Sequence, residues 1–117
     1  MIDYQEIIEQ LDDNKVKHML DNLNIPYEDR GDYLLMPTVC HNEDNESASW
    51  KLYYYKNTHI FYCYTECGGQ SIFSFLKHYY ETRNISYDWF TDIYEVIRGC
   101  SYFSENNYNS NSYKSIR

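Results

Sequence analysis

Four cysteine and histidine residues of this chain have the types and spacing of a metal site. Cys63 and Cys67 are separated by three residues and stand directly before two glycines, and Cys40 is followed at once by His41. Structural zinc takes four nitrogen or sulfur ligands in a tetrahedron, usually offered as two close pairs on turns that fold together. The sequence therefore predicts one structural Zn²⁺ bound by Cys40, His41, Cys63 and Cys67.

His59 is the alternative fourth ligand, because it lies only four residues before Cys63. Positions i and i+4 of a strand are about 13 Å apart, which favours His41. Adjacent ligands such as Cys40 and His41 also require a turn in the backbone, so the choice between the two histidines stays open at this point. Cys100 lies beyond the last predicted helix and is interpreted as an ordinary thiol.

Other cysteine chemistry fits this sequence less well. A redox pair is typically C-x2-C at the start of a helix, and a nucleophilic cysteine–histidine pair needs a third group that orients it. We see no leader-like segment and no apolar run of about 18 residues, so we expect a cytoplasmic protein, in the host cytoplasm if it is phage-encoded. In a reducing compartment a cysteine cluster favours a metal over disulfides.

Short strands are predicted beside each ligand pair. They lie near residues 33–39, 50–56 and 59–65, where apolar and aromatic residues dominate. The last two runs are separated by about two residues, which indicates a β-hairpin. Strand alternation then places Leu52 and Tyr54 on one face, with Lys51, Tyr53 and Tyr55 on the other.

Amphipathic helices are predicted around this sheet, from apolar residues at helical spacing. They lie near residues 4–11, 15–23, 71–84 and 88–98. Their expected N-caps are Asp12 or Asp13, Ser71 and Asp88. The fold class is thus α+β, with a small antiparallel sheet packed by short helices. Residues 1–100 form one predicted domain, and residues 101–117, rich in Asn, Ser and Tyr, form a predicted linker or disordered tail.

The composition is acidic and unusually rich in tyrosine. The net charge is −8 and 15 of the 117 residues are Tyr. Acidic side chains are concentrated in residues 1–35, which hold nine of them against Lys15, Lys17 and Arg30. This charge is unfavourable to general phosphate binding, whereas tyrosine suits half-buried sheets and base-stacking surfaces.

The motif order resembles the N-terminal zinc-binding domain of bacterial-type DNA primases, in the divergent form carried by phages of Gram-positive bacteria. The resemblance covers about residues 33–80: Cys40-His41-Asn42-Glu43, a polar loop, the hairpin KLYYYKNTHIFYCYTECGG and the helix that begins at SIFSFL. It implies a zinc-ribbon fold with Cys40, His41, Cys63 and Cys67 as ligands. The family places two residues within each ligand pair, whereas this chain has none in the first pair and three in the second.

The resemblance also implies a role in replication without catalysis. In the family this domain helps to select the single-stranded template for primer initiation and works with a separate catalytic domain, which this chain lacks. We therefore expect no enzyme activity from the chain itself. The expected partners are single-stranded DNA, bound weakly by the chain alone, and a primase catalytic domain, helicase or other replication protein; no membrane is expected. The candidate DNA contacts are Lys51, Tyr53, Tyr55, Lys56 and Phe61, by stacking and phosphate binding.

A second hypothesis uses the same zinc scaffold for a different purpose. The chain would be a stand-alone phage interaction protein that binds or inhibits a host or replication protein through its acidic surface. A sequence pI of about 4.8 fits docking to a basic protein better than DNA binding.

Overall fold

The computed structural model of the protein describes residues 3–101, which form a five-stranded antiparallel sheet with short helices. The strands follow one another in chain order across the sheet. They are β1 (Glu28–Asp29), β2 (Tyr33–Met36), β3 (Leu52–Tyr55), β4 (Ile60–Cys63) and β5 (Gly68–Gln70). The predicted α+β class, with its small antiparallel sheet and short helices, is confirmed.

The helices begin where short polar side chains cap them. Asp12, Ser71 and Asp88 each accept a hydrogen bond from a backbone N–H of the first turn that follows, as predicted. The α-helices are α1 (Tyr4–Glu9), α2 (Asp13–Asn22), α3 (Ile72–Thr82) and α4 (Glu95–Arg98). A π-helical turn, Trp89–Tyr94, precedes α4, where the apolar spacing predicts an ordinary α-helix. None of the helices in residues 3–101 is long and apolar enough to cross a membrane.

One face of the sheet forms the core with the helices. Along β2, β3 and β4 the side chains alternate between buried and more exposed positions, as a pleated strand requires. Leu34, Tyr54 and Phe61 occupy one row of the buried face, in register across three strands. The Phe61 ring stacks on Phe75 of α3 at 4.3 Å between ring centroids and 9° between planes. This stacking ties the hairpin to α3.

The prediction that Phe61 contacts DNA is wrong. It is fully buried, so its ring is not available for stacking on the exposed face of the hairpin. The physical reason is the register: Phe61 pairs with Tyr54, and directly paired residues share a face. The exposed aromatic positions of β4 and the turn after it are instead Tyr62 and Tyr64, with 38% and 55% of their surface accessible.

The connections also differ from the predicted ones. The hairpin turn is longer than two residues, because pairing stops at Tyr55 and Ile60 and His59 adopts a positive φ of 61°. Gly68 and Gly69 begin strand β5. Gly68 has a φ of 70°, a conformation that glycine adopts without steric cost directly after Cys67. The chain therefore leaves the second ligand pair and re-enters the sheet at once.

The end of the described region is anchored to the fold. Ser101 is buried and forms an isolated bridge with Leu11, and Asp12 N–H donates to the Cys100 carbonyl at 2.8 Å. Of the predicted tail, residues 101–117, the structure describes Ser101, and residues 102–117 lie outside the described residues.

Adjacent positions of β4 provide a direct test of this register. We expect Phe61→Ala to lower the free energy of unfolding by about 3–5 kcal/mol, because it removes a fully buried ring. Tyr62→Ala on the opposite face should cost only about 1 kcal/mol. Chemical denaturation of both variants measures the difference. Equal losses would contradict the assignment of the two faces.

Candidate metal centre and tyrosine face

Four metal-ligating side chains converge at one end of the sheet. The ligand atoms of Cys40, His41, Cys63 and Cys67 all lie within 4.8 Å of one another. Cys40 and Cys63 are buried, and His41 and Cys67 are half-buried. The four residues predicted from their spacing are thus brought together.

A tight turn allows the adjacent residues Cys40 and His41 to reach the same point. The backbone N–H groups of His41 and Asn42 both donate to the Thr38 carbonyl, at 3.3 and 3.1 Å. The Asn42 side-chain amide closes the turn further, since it donates to the same carbonyl at 3.1 Å and to the Thr38 hydroxyl at 2.8 Å. These bonds supply the backbone reversal that two neighbouring ligands need.

The end of α3 holds this turn from outside. The Thr82 hydroxyl donates to the Cys40 carbonyl at 3.0 Å, and Arg83 Nη1 donates to the Val39 carbonyl at 3.1 Å. The Arg83 guanidinium also lies 3.9 Å from the centre of the Tyr79 ring, a cation–π contact that fixes its position. The first ligand pair is therefore positioned by tertiary contacts as well as by its own turn.

The second ligand pair lies on the turn between β4 and β5. Burial raises the pKa of the Cys63 thiol, but hydrogen bonds from the Thr65 hydroxyl and from the backbone N–H groups of residues 65–67 lower it more, to about 6. Burial raises the pKa of Cys40 and of Cys67. The turn thus offers one sulfur stabilised as a thiolate, the form that binds metal.

The His41 ring is oriented by polar contacts on both nitrogens. Nε2 lies 2.9 Å from the Thr65 hydroxyl, which in turn lies 3.2 Å from the Cys63 sulfur. Nδ1 lies 3.2 Å from the Asn42 amide nitrogen and 3.6 Å from a Glu66 carboxylate oxygen. A carboxylate neighbour such as Glu66 orients metal-binding histidines in proteins.

The donor set fits zinc. In a tetrahedral site with Zn–S bonds of about 2.3 Å, ligand atoms are about 3.8 Å apart, so donors already within 4.8 Å need only a small contraction. Three soft sulfurs and one imidazole nitrogen suit Zn²⁺, and four protein ligands complete its coordination without an open position. The Cys₃His cluster could therefore hold one structural metal ion.

The other histidine and cysteine considered in the sequence analysis, His59 and Cys100, lie away from the Cys₃His cluster. Nδ1 of His59 lies 2.8 Å from the buried Tyr54 hydroxyl, at the far end of the β3–β4 hairpin, so the structure favours His41 as the fourth ligand. Cys100 is buried beside α2, where its sulfur donates to the Val96 carbonyl at 3.4 Å and lies 3.7 Å from the Lys15 carbonyl. Cys100 is thus a thiol of the core.

Five tyrosines form a continuous surface on the side of the sheet away from the core. We call it the tyrosine face, and it consists of Tyr33, Tyr53, Tyr55, Tyr62 and Tyr64. Neighbouring ring centroids are 4.5 to 5.9 Å apart. The hydroxyls of Tyr55 and Tyr64 lie 2.7 Å apart, and this hydrogen bond raises the pKa of Tyr55 to about 12. The surface is thus aromatic and uncharged at neutral pH.

Sequence reasoning found only Tyr53 and Tyr55 of this face. The cross-strand register was the signal for two others, because Tyr62 pairs with Tyr53 and Tyr33 with Tyr55. Tyr64 follows Cys63 directly, so the tyrosine face extends to the metal centre.

The two predicted phosphate contacts differ in their surroundings. Lys51 is exposed and, with Tyr53, Tyr55 and Tyr64, lines a groove of about 310 Å³ on the tyrosine face. Lys56 instead forms an ion pair with Asp29 at 2.8 Å, and Asp29 also binds Lys17 at 2.6 Å. Its two lysine partners hold the pKa of Asp29 far below its usual range. Lys51 therefore offers the less compensated charge.

Fold and site together define a small α+β protein with a Cys₃His cluster that could bind a metal ion. No protein-family model and no solved structure matches the chain. A stretch of 31 residues, 26% of the chain, is 58% identical to the SPbeta prophage-derived uncharacterized protein YorJ of Bacillus subtilis (strain 168). The matched stretch spans only 8% of that protein's length. This similarity fits a phage origin.

Loss of a cysteine of the Cys₃His cluster should both weaken metal binding and unfold the protein. We expect Cys63→Ser to bind zinc far more weakly and to unfold around the sheet, because metal binding is coupled to folding in domains this small. Cys100→Ser is the matched control, because the serine hydroxyl can still donate to the Val96 carbonyl. This variant should retain one zinc and the native fold. Metal analysis and circular dichroism measure both outcomes. A stable, metal-free Cys63→Ser protein would exclude a structural metal.

Proposed function

We propose that this protein is a non-catalytic zinc-binding module of a primase-type replication protein, and that it recognises single-stranded DNA template through its tyrosine face. The observation that supports this most is the position of the face: five contacting tyrosines lie on the accessible side of the sheet and reach the Cys₃His cluster. The resemblance of residues 33–80 to primase zinc-binding domains supports the same function.

Stacking is the main interaction that this face offers to DNA. Each base stacked on an aromatic ring contributes about 1–3 kcal/mol, whatever the base. Tyr62 and Tyr64 are the most accessible rings, and Tyr53 and Tyr55 border the groove beside Lys51. A few unpaired nucleotides are sufficient to cover this surface, whereas the bases of a duplex are already stacked on each other. The face therefore favours single strands.

Charge limits the affinity of the isolated chain. Lys56 is paired with Asp29, and Arg30 is paired with Glu28 at 2.8 Å, so Lys51 remains as the phosphate contact at the groove. Each phosphate contact on a single strand contributes about −0.7 to the slope of log K against log salt. We therefore expect weak binding with a slope near −0.7, unless a partner supplies further cations.

Tyr64 gives the sharpest test of the stacking surface. Tyr64→Ala should weaken binding to labelled single-stranded DNA about tenfold, because a stacking ring is lost. Tyr64→Phe removes only the hydroxyl and should retain most of the affinity. Fluorescence anisotropy over a salt series, with duplex DNA for comparison, measures both effects.

Lys51→Ala should flatten the salt dependence of DNA binding in the same assay, and Lys77→Ala, on the exposed side of α3, should not. If all four variants bind like the wild type, the tyrosine face is not the DNA site.

A different observation favours the second candidate function, docking to a basic replication or host protein. On the helical side, Tyr4, Phe73 and Trp89 form a helical aromatic cluster, with ring centroids 5.0 to 6.2 Å apart. Tyr4 and Trp89 are each 40% exposed beside a cavity of about 380 Å³. The flanking segments 3–9 and 88–94 carry three and two acidic residues and no Lys or Arg. A basic segment with an apolar anchor complements this surface.

Trp89 distinguishes the two functions. If the helical aromatic cluster is a docking site, Trp89→Ala should weaken binding to a purified host helicase or primase catalytic domain at least tenfold and leave DNA binding unchanged. Trp50→Ala is the matched control, because Trp50 has a similar exposure of 39% but lies outside the cluster. Titration by interferometry measures both. Equal affinities of the two variants would argue against docking at this surface.

A further inference from the structure

A cavity of about 360 Å³ lies at the turn end of the β3–β4 hairpin. Its walls come from the hairpin turn, from α1 and from the junction of β5 with α3. None of the described residues that line it is Lys, Arg, Asp or Glu. A cavity of this size can hold a small ligand, and without a charged wall it favours a neutral ligand over a phosphate, a carboxylate or a metal ion.

His59, which lines this cavity, has a backbone conformation that favours glycine. Its φ is 61°, and its N–H donates to the Tyr55 carbonyl at 2.7 Å, which closes the hairpin turn. A side chain in this left-handed region costs free energy that glycine at the same position would not. Residues strained in this way cluster at ligand sites. The turn gives no reason for a histidine at this position, so the reason lies in the imidazole ring.

Hydrogen bonds on the core side fix the His59 ring and its tautomer. Nδ1 lies 2.8 Å from the Tyr54 hydroxyl, and that hydroxyl donates to an Asp13 carboxylate oxygen at 3.3 Å. Because the hydroxyl gives its one proton to Asp13, its oxygen accepts from Nδ1–H. Turning the ring over would place a carbon atom against Tyr54 and lose this bond. Burial lowers the pKa of His59 by more than the Asp13 carboxylate raises it, so the ring is neutral at pH 7.

The other ring nitrogen of His59 is an acceptor on the cavity side. With Nδ1 protonated, Nε2 carries a lone pair, and it has no hydrogen-bond partner in residues 3–101. Thr58 adds a hydroxyl to the cavity wall, and Ile8 and Ile60 add apolar surface. A neutral, planar ring that carries an N–H group fits these walls.

The cavity adjoins the tyrosine face. Ile60 lines the cavity and pairs with Tyr55, and directly paired residues share a face of the sheet. Gly69 also lines the cavity, and the Tyr62 ring lies 3.5 Å from the point where a Cβ of Gly69 would stand. A strand stacked on Tyr55 and Tyr62 therefore passes the rim of the cavity.

We propose that this cavity is a base pocket: it takes one unstacked nucleobase of a single strand that lies on the tyrosine face, and Nε2 of His59 accepts from an N–H group of that base. The inference rests on the proposed function, which it extends from stacking on any base to a preference among bases. Proteins commonly recognise the splayed bases of single strands by hydrogen bonds to their edges. A fixed acceptor distinguishes bases, because their N–H groups lie at different positions.

His59→Gly separates the ring from the turn. Glycine accepts the positive φ, so this variant should unfold at a temperature close to that of the wild type. Fluorescence anisotropy with oligo-dA, oligo-dC and oligo-dT, each compared with a form whose base N–H groups are methylated, measures the hydrogen bond while stacking is retained. For at least one base, methylation should weaken wild-type binding about three- to tenfold, as expected for one hydrogen bond, and should not weaken binding by His59→Gly.

Asn84→Gly is the matched control for this substitution. Asn84 also has a positive φ, of 55°, but it is exposed after α3 and lies outside the cavity. This variant should respond to methylation like the wild type. If His59→Gly does not fold, His59→Asn replaces it, because asparagine also tolerates the left-handed region.

Free nucleosides distinguish failure of the base pocket from failure of the proposed function. Strand binding that methylation weakens equally in the wild type and His59→Gly, or in neither, would overturn the base pocket and leave the tyrosine face as the DNA site. If no strand binds but free adenosine, cytidine or thymidine shifts the NMR signals of residues 58–60, the pocket stands as a nucleoside site and the proposed function fails. Binding of neither strands nor nucleosides would overturn both.

Discussion

The structure depends on the meeting of two chain turns at one point. Three cysteines and a histidine from residues 40–41 and 63–67 have their ligand atoms within 4.8 Å, although these segments are separated by a long polar loop and a hairpin. Holding three sulfurs together without a cation is unfavourable once they ionise, so a bound metal and the turns stabilise each other. The turn at Thr38–Asn42 makes the unusual adjacent pair Cys40-His41 workable, because its hydrogen bonds reverse the chain within five residues.

Strand alternation explains how the many tyrosines are divided between the core and the accessible face of the sheet. Buried tyrosines have partners for their hydroxyls: Tyr54 binds Asp13 and His59, and Tyr79 donates to the Leu23 carbonyl. The tyrosines of the opposite face contact one another instead. One residue type thus serves the core and the accessible face of the same sheet, since it combines a large apolar ring with a polar end. The count of 15 tyrosines alone could not divide them between these roles.

Much of the fold and the site follows from local sequence signals. Ligand types and spacing identify the metal cluster, and Asp12, Ser71 and Asp88 mark helix starts, because both signals act within a few residues. The incorrect predictions concern features that depend on contacts between different segments of the chain. Phe61 falls in the core because it pairs with Tyr54, which the predicted hairpin itself implied, and β5 forms from two glycines only because β4 lies beside them. The hydrogen bonds from Thr82 and Arg83 to the Cys40 turn join residues that are distant in the sequence, and no periodic pattern predicts them.

The sheet also separates two surfaces of different chemistry. The tyrosine face is uncharged apart from Lys51 and the paired residues at its edge, and it faces away from the helices that carry much of the acidic charge. Stacking needs little charge, but tight binding to a polyanion does, so a protein of net charge −8 that uses this face requires cations from elsewhere. A basic partner attracted to the acidic helical side would bring those cations while leaving the tyrosine face accessible. The two candidate functions therefore involve different surfaces of the protein.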